Sequence, residues 1–283
     1  MKIVFLFLCF LLWGNNVQAQ SFYAYNQKVE QGSILIMNID PRWRAPGLPG
    51  SAIFIFGNQH LPNSNGDVFI GVSVYIKPGK YKTHLVEYGR GVRLSLDYEI
   101  EVLKTNFLKT RTAGAVRSNR PRTGKESLAI NKAFDLTNRS GDDLTAGLAY
   151  VEPISTHQGV IDYFGLIYRN DSARIHGGVD LKMPVGTAIG AINQGLVVLT
   201  AKNFSKEGNM IILYHGLGIF SVYMHLSRID VSENSIVGRG DIVGLSGDTG
   251  AGVREPHLHF SIKIIKSYVD PLVFIDKANQ HLK

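Results

Sequence analysis

Cysteine is all but missing from this chain of 283 residues: the single one, Cys9, sits inside the N-terminal apolar run. That excludes a disulfide framework in an exported form of the protein, and it leaves no lipid-acceptor cysteine where the run ends. Long apolar stretches are missing too. The N-terminal run, Ile3 to Trp13, has eleven residues, well short of the roughly 20 that a membrane span requires. There is no internal repeat, and no glycine loop of the kind that cradles phosphate groups. From Lys109 to Lys125 acidic residues are absent while six cations are present.

What is there begins with an export pattern. Lys2, the apolar run and the small-residue ending Val17-Gln18-Ala19 have the n-region, h-region and cleavage site of a secretory signal peptide. Asn15 and Asn16 interrupt the pattern that a buried helix would need. Cleavage after Ala19 predicts a protein free in the periplasm or secreted, with no stable membrane insertion afterwards. The formal charge of +7 suits an acidic glycan or a lipid-rich surface as well as nucleic acid. Export decides against nucleic acid.

Length allows two domains, and composition divides the chain into a signal (1–19), a β-domain (20–105), a basic linker with a short helix (106–150) and a second domain (151–283). Short β-type runs fill the first domain: Ser33–Met37, Ala52–Phe56, Val68–Val72, Tyr81–Leu85 and Arg93–Tyr98, with turns at Pro78-Gly79-Lys80 and Gly89-Arg90-Gly91. Strands at this spacing predict a small β-sandwich. In the linker, the cations fit attraction to an anionic envelope polymer or a solvated connection. Thr123-Gly124-Lys125-Glu126 has capping-box spacing, and Leu128, Ile130, Ala133 and Phe134 would give the helix an apolar face. Strand signals continue from Ala188 almost without helices, predicting a mostly antiparallel sheet whose loops rim a groove.

The chemistry lies in that second domain. His176-Gly177-Gly178-Val179-Asp180 and, far downstream, His257-Leu258-His259 supply three histidines and a carboxylate, and two histidines with one carboxylate are the set of a hydrolytic zinc site that keeps one position for water. Two glycines after His176 argue for a loop entering a strand, not a helix face. His257 and His259 stand two apart on a strand and so point to one side, with Leu258 facing the core. Four polar groups cannot all be ligands if a position stays open, so one of those two histidines is left for proton transfer. His225, ending the run Phe220–Met224, is a partner for it.

These segments carry a resemblance. Phe164-Gly165, His176–Asp180, Pro184-Val185-Gly186-Thr187, Gly208-Asn209, His215-Gly216, Tyr223–Ser227, Gly247-Asp248-Thr249-Gly250 and Pro256–Phe260, in that order, resemble the catalytic domain of the LytM and lysostaphin type of zinc metallopeptidases. The resemblance covers about Gly165 to Ile275 and implies one zinc ion per chain held by His176, Asp180 and His259. His225 and His257 are then the catalytic imidazoles, and the substrate is the peptide cross-link of bacterial peptidoglycan, with D-Ala to diaminopimelate the bond expected in a diderm envelope. Arg254-Glu255 stands where the family has a small residue and glycine, which puts the local loop shape in question. Some members have lost ligands and act as non-catalytic activators of cell-wall amidases, but loss is not what this sequence shows. His215 belongs to the resemblance without supplying a ligand and reads as structural. Lys77–Tyr81 is weakly similar to the immunoglobulin-like domain that precedes some of these catalytic domains. With no chemistry of its own, that domain is expected to space or to dock on substrate, or else it or the stretch up to Asp171 partly covers the groove above His225 and His257 and offers a side-chain oxygen or nitrogen to the zinc's open position.

Overall fold

The computed structural model describes residues 22–39, 51–86, 95–110, 121–135, 143–145, 147–168, 174–251 and 253–282. The expected signal with Cys9, the turn at Gly89–Gly91, most of the basic stretch and Asp171 lie outside these residues.

Apolar runs that alternate too little to face water on one side build the first domain. Strands Phe22–Ala24, Ile34–Ile39 and Asp67–Gly71 form one sheet, and Lys28–Glu30, Ser95–Leu103, Gly79–Val86, Ala52–Ile55 and Asn58–His60 form another. Leu35, Met37, Val68 and Ile70 of the first meet Val29, Ile53, Leu85 and Ile100 of the second, which makes a small β-sandwich. One pair, Lys28–Glu30 with Glu101–Leu103, is parallel. Ile34–Ile39 is apolar on both faces, and the structure uses both. Successive side chains point to opposite sides, so Ile34 and Ile36 turn away from the sandwich and join Phe69, Val269 and Phe274 in the core of the second domain. Asp270 N–H donates to the Gly32 carbonyl at 2.7 Å, and the Lys277 ammonium donates to Ser33 Oγ at 2.9 Å. The β-domain is thus docked on its neighbour through a shared core.

The second domain is built on an eight-stranded sheet. Its order is Val160–Asp162, Val179–Lys182, His257–Ile264, Ile219–Leu226, Gly208–Tyr214, Gly195–Phe204 and Ile236–Val237, with Ser267–Val269 paired to His257–Ile264 off this path. One face buries Leu181, Leu258, Phe260, Ile262, Tyr223 and Ile211. The other face carries His257, His259, Ser261 and Lys263. Helix α1, Gly124–Ala133, covers part of that face, packing Ile130, Ala133 and Phe134 near Met210, Val222 and Phe220. Its capping box is formed, with Thr123 and Glu126 bonding reciprocally. Leu128, expected on the apolar face, is 69% exposed: it lies a half-turn away from Ile130.

The expectation of almost no helix missed α2, Pro271–His281. Asp270 caps it, its carboxylate accepting from Leu272 and Val273 N–H, and Pro271 occupies the first turn, where a missing N–H costs nothing. Phe274, Ile275 and Ala278 are its buried stripe.

Candidate metal centre and catalytic cleft

Strand pairing assembles the centre. Asp180 lies directly across from His259, and Met224 lies across from His259 on its other side, so these side chains share one face. His176 reaches the same spot from the turn before Val179. That turn presses hard on the strand beside it: a Cβ on Gly178 would stand 2.5 Å from the Phe260 carbonyl oxygen and 2.8 Å from His259 Nε2. Only glycine lets the two segments approach so closely.

The donor atoms of His176, Asp180 and His259 converge. His176 Nε2 is 3.1 Å from His259 Nδ1 and 3.2 Å from Asp180 Oδ1, and His259 Nδ1 is 2.7 Å from Asp180 Oδ1. Ligands about 2.0–2.1 Å from a tetrahedral zinc would lie about 3.3 Å apart, so the set fits such an ion with a small expansion. The far ring nitrogens are already engaged. His176 Nδ1 donates to the Tyr163 carbonyl at 2.9 Å, and His259 Nε2 donates to Ser261 Oγ at 2.8 Å. Each bond leaves the converging nitrogen with its lone pair free, and such partners fix ring orientation at metal sites. Burial works against the Asp180 carboxylate, but the hydrogen bonds and charges of His176 and His259 hold it far below the usual range. Burial also disfavours charge on His176 and His259; Asp180 reverses the direction for His176, while His259 stays lowered.

His225 and His257 flank this cluster. Their ring centroids are 4.8 Å apart, and His225 lies 6.1 Å from the His259 ring. His225 Nδ1 donates to the Thr249 carbonyl and His257 Nδ1 to the Glu255 carbonyl, both at 2.8 Å. The two Nε2 atoms are left facing the cleft side, that of His257 being 3.9 Å from Asp180 Oδ1. Burial first, then the neighbouring histidines, push the His225 pKa down to about 3, so its ring is neutral at physiological pH.

Regular alternation would have sent His225 the wrong way. Met224 shares the cleft face with His259, so its successor belongs on the core face beside Tyr223. Instead the pairing slips between Asn209 and Ile211, and His225 takes φ +65°. Such a conformation is uncommon for a residue with a side chain and is typical of functional sites. The bulge swings the imidazole into the cleft.

Arg254-Glu255, the departure from the family pattern, leaves the loop able to orient His257, because the contact is made by the Glu255 backbone. The Glu255 side chain pairs with Lys182. His215 is buried and bonded to the Gln194 carbonyl and Ser221 Oγ, away from the cluster. Ser261 and the carbonyl of Tyr163 escaped the sequence reading. Ser261 had a signal, since it stands two residues after His259 on the same face; Tyr163 had none, because it acts through its backbone.

Several known proteins resemble this chain. Residues 174–271 match the model of Peptidase family M23. The peptidoglycan DD-endopeptidase ShyA of Vibrio cholerae is 41% identical over 87 residues, 31% of this chain and 20% of that protein. Lysostaphin of Staphylococcus staphylolyticus is 37% identical over 110 residues, 37% of this chain and 22% of that protein. This chain therefore spans about a fifth of the length of either relative. A crystal structure assigned to peptidase M23, from Pseudomonas aeruginosa, has the same fold over 87% of this chain and 94% of its own, with a TM-score of 0.64 at 24% identity.

Proposed function

We propose that this chain, in which residues 174–271 match the model of Peptidase family M23, is a zinc endopeptidase hydrolysing peptide cross-links of bacterial peptidoglycan, cutting between D-Ala and diaminopimelate. The observation that carries the reading is the convergence of His176 Nε2, Asp180 Oδ1 and His259 Nδ1 beside two further imidazoles whose Nε2 atoms are unspent. A domain that only activated another enzyme would have no need of that complete set. ShyA, a DD-endopeptidase by name, supports the bond. Among the described residues no helix is long and apolar enough to cross a membrane, and the N-terminal pattern supports export to the periplasm.

His176, Asp180 and His259 are the residues that would hold the zinc, and a bound zinc supplies Lewis-acid activation of the scissile carbonyl and of a water molecule. His225, anchored at Nδ1 by Thr249, accepts a hydrogen bond from the attacking water at Nε2 and fixes its approach. His257, anchored by Glu255, takes up the water's proton at Nε2 and passes it to the leaving amine. Asp180 stays ionised and aligns both ligand histidines. The core beneath, with Leu258 and Phe260, fixes the strand on which His257 and His259 stand.

Asp180→Ala removes one ligand of three, so zinc content and hydrolysis should fall together. His225→Ala and His257→Ala should keep zinc while turnover drops about 10²–10⁴-fold. Full zinc occupancy in Asp180→Ala, or loss of zinc from either histidine variant, refutes the division of roles.

A further inference from the structure

The face that carries the metal cluster does not end at His259. Two alternations further along the same strand stands Lys263, and on the neighbouring strand Met224 is paired with His259. Here α1 stands off from the sheet and leaves a cavity of about 210 Å³, lined among others by Arg122, Asn131, Met224, Lys263 and Tyr268. Tyr268 also forms the wall on the metal side, its ring 3.5 Å from where a Cβ on Gly177 would be. With Met224 paired to His259 and Tyr268 against the His176–Asp180 turn, the cavity borders the metal cluster.

Its lining is short of acceptors. The Lys263 ammonium lies 3.8 Å from the centroid of the Phe134 ring and 5.5 Å from that of Tyr268, and among the described residues it meets no carboxylate. Burial lowers its pKa to about 8, which still leaves it mostly charged at neutral pH. Arg122 gives one nitrogen to Glu207 Oε1 and keeps further donors. Among the described residues the Tyr268 hydroxyl and the Asn131 amide have no hydrogen-bond partner. Two cations and two neutral donors thus share a pocket whose neighbouring acid, Glu207, meets Arg122 through Oε1 and leaves Oε2 unbonded, above an apolar floor that includes Met224. A buried cation without a counter-charge is unfavourable until an anion arrives.

We propose that this cavity is a substrate subsite for a free carboxylate carried on a short apolar arm of the peptide whose amide lies at the metal cluster. The Lys263 ammonium and an Arg122 N–H take the charge, Tyr268 and Asn131 donate to its oxygens, and Met224 packs against the methylenes. The proposal rests on the endopeptidase reading and deepens it: the enzyme selects acidic peptides over their amides. Charge-assisted hydrogen bonds of this kind discriminate by about tenfold or more, and the difference falls in KM because the group is remote from the scissile bond.

The test uses the full mature chain loaded with zinc, soluble cross-linked peptides bearing either the free carboxylate or its carboxamide, and the variants Lys263→Met and Lys263→Arg. The parent should favour the acid at least tenfold in KM at similar kcat. Lys263→Met, which keeps the chain length under the rings, should shrink that preference to within about twofold, and Lys263→Arg should retain it. In parallel, glutarate and glutaramide are titrated into protein labelled with ¹³C at the lysine ε-carbons. Only glutarate should shift the Lys263 resonance. A shift with glutarate but no hydrolysis of any peptide upholds the subsite and removes the endopeptidase reading. Hydrolysis with no acid preference and no shift overturns the subsite: Lys263 then only clamps α1.

Discussion

Replacing Gly178 with alanine probes how the centre is held without removing any ligand. The added methyl would stand 2.5 Å from the Phe260 carbonyl oxygen, 2.8 Å from His259 Nε2 and closer still to Ser261 Oγ. The carbonyl belongs to an interior strand of the sheet, paired with a neighbour on each side, so the His176–Asp180 turn is what must move. Restoring ordinary contact takes a displacement of about 1 Å, and misplacement on that scale costs about 10²-fold in rate, or about 2.7 kcal/mol of transition-state stabilisation. The methyl also crowds the Ser261 bond that orients His259, a contact of the sort whose loss weakens metal binding about 10–100-fold. The control is the adjacent glycine: on Gly177 the nearest contact of the methyl is the Tyr268 ring at 3.5 Å, an ordinary contact. Zinc affinity by competition with a chromogenic chelator, and kcat/KM on a soluble cross-linked muropeptide, should both fall for Gly178→Ala and change little for Gly177→Ala. Parent-like zinc affinity and turnover in Gly178→Ala would refute the argument.

Two other perturbations follow from the fold. Burial pushes the His215 pKa down to about 4, whereas the unfolded chain takes up its proton near pH 6.5. Stability is therefore fully present above about pH 6.5 and lost as pH falls toward 4, by on the order of 3 kcal/mol over that window; urea midpoints at about pH 7.5 and about pH 5 should separate, and coincident midpoints would contradict this. Deleting residues 20–105 should destabilise the protein and lower its rate on a soluble muropeptide, because it strips Ile34 and Ile36 from the shared core and removes Gly32, which packs against Phe164 beside the Tyr163 carbonyl that orients His176; a folded, faster truncation would instead mark the domain as a cover over the cleft.

Much of this architecture was legible because it depends on local pattern. Two-residue spacing placed His257 and His259 on one side and Leu258 in the core, and the paired glycines announced a tight turn at His176. Ile34–Met37, apolar without alternation, carried the signature of a strand buried on both faces, and that burial is what docks the first domain on the second. Helix α2 was overlooked although Asp270-Pro271 is a start signal, because the strand-like runs before it dominated the reading. His225 was a cleft candidate from its place at the end of Phe220–Met224 and its catalytic role came through resemblance; strict strand alternation would have put it in the core, since the bulge and positive φ that turn it depend on how Ile219–Leu226 registers with Gly208–Tyr214. The carbonyls of Tyr163, Thr249 and Glu255 orient three histidines through backbone atoms, which side-chain identity does not reveal.

The central claim is amide hydrolysis by this chain's own centre, and the most direct measurement is mass spectrometry of purified sacculi after incubation with the zinc-loaded protein, beside a chelator-treated sample. Cross-linked dimers should convert to monomers broken between D-Ala and diaminopimelate in the zinc-loaded sample only. Intact dimers in both samples, with stem peptides released from the glycan only when a cell-wall amidase is added, would contradict it and identify the chain as an activator.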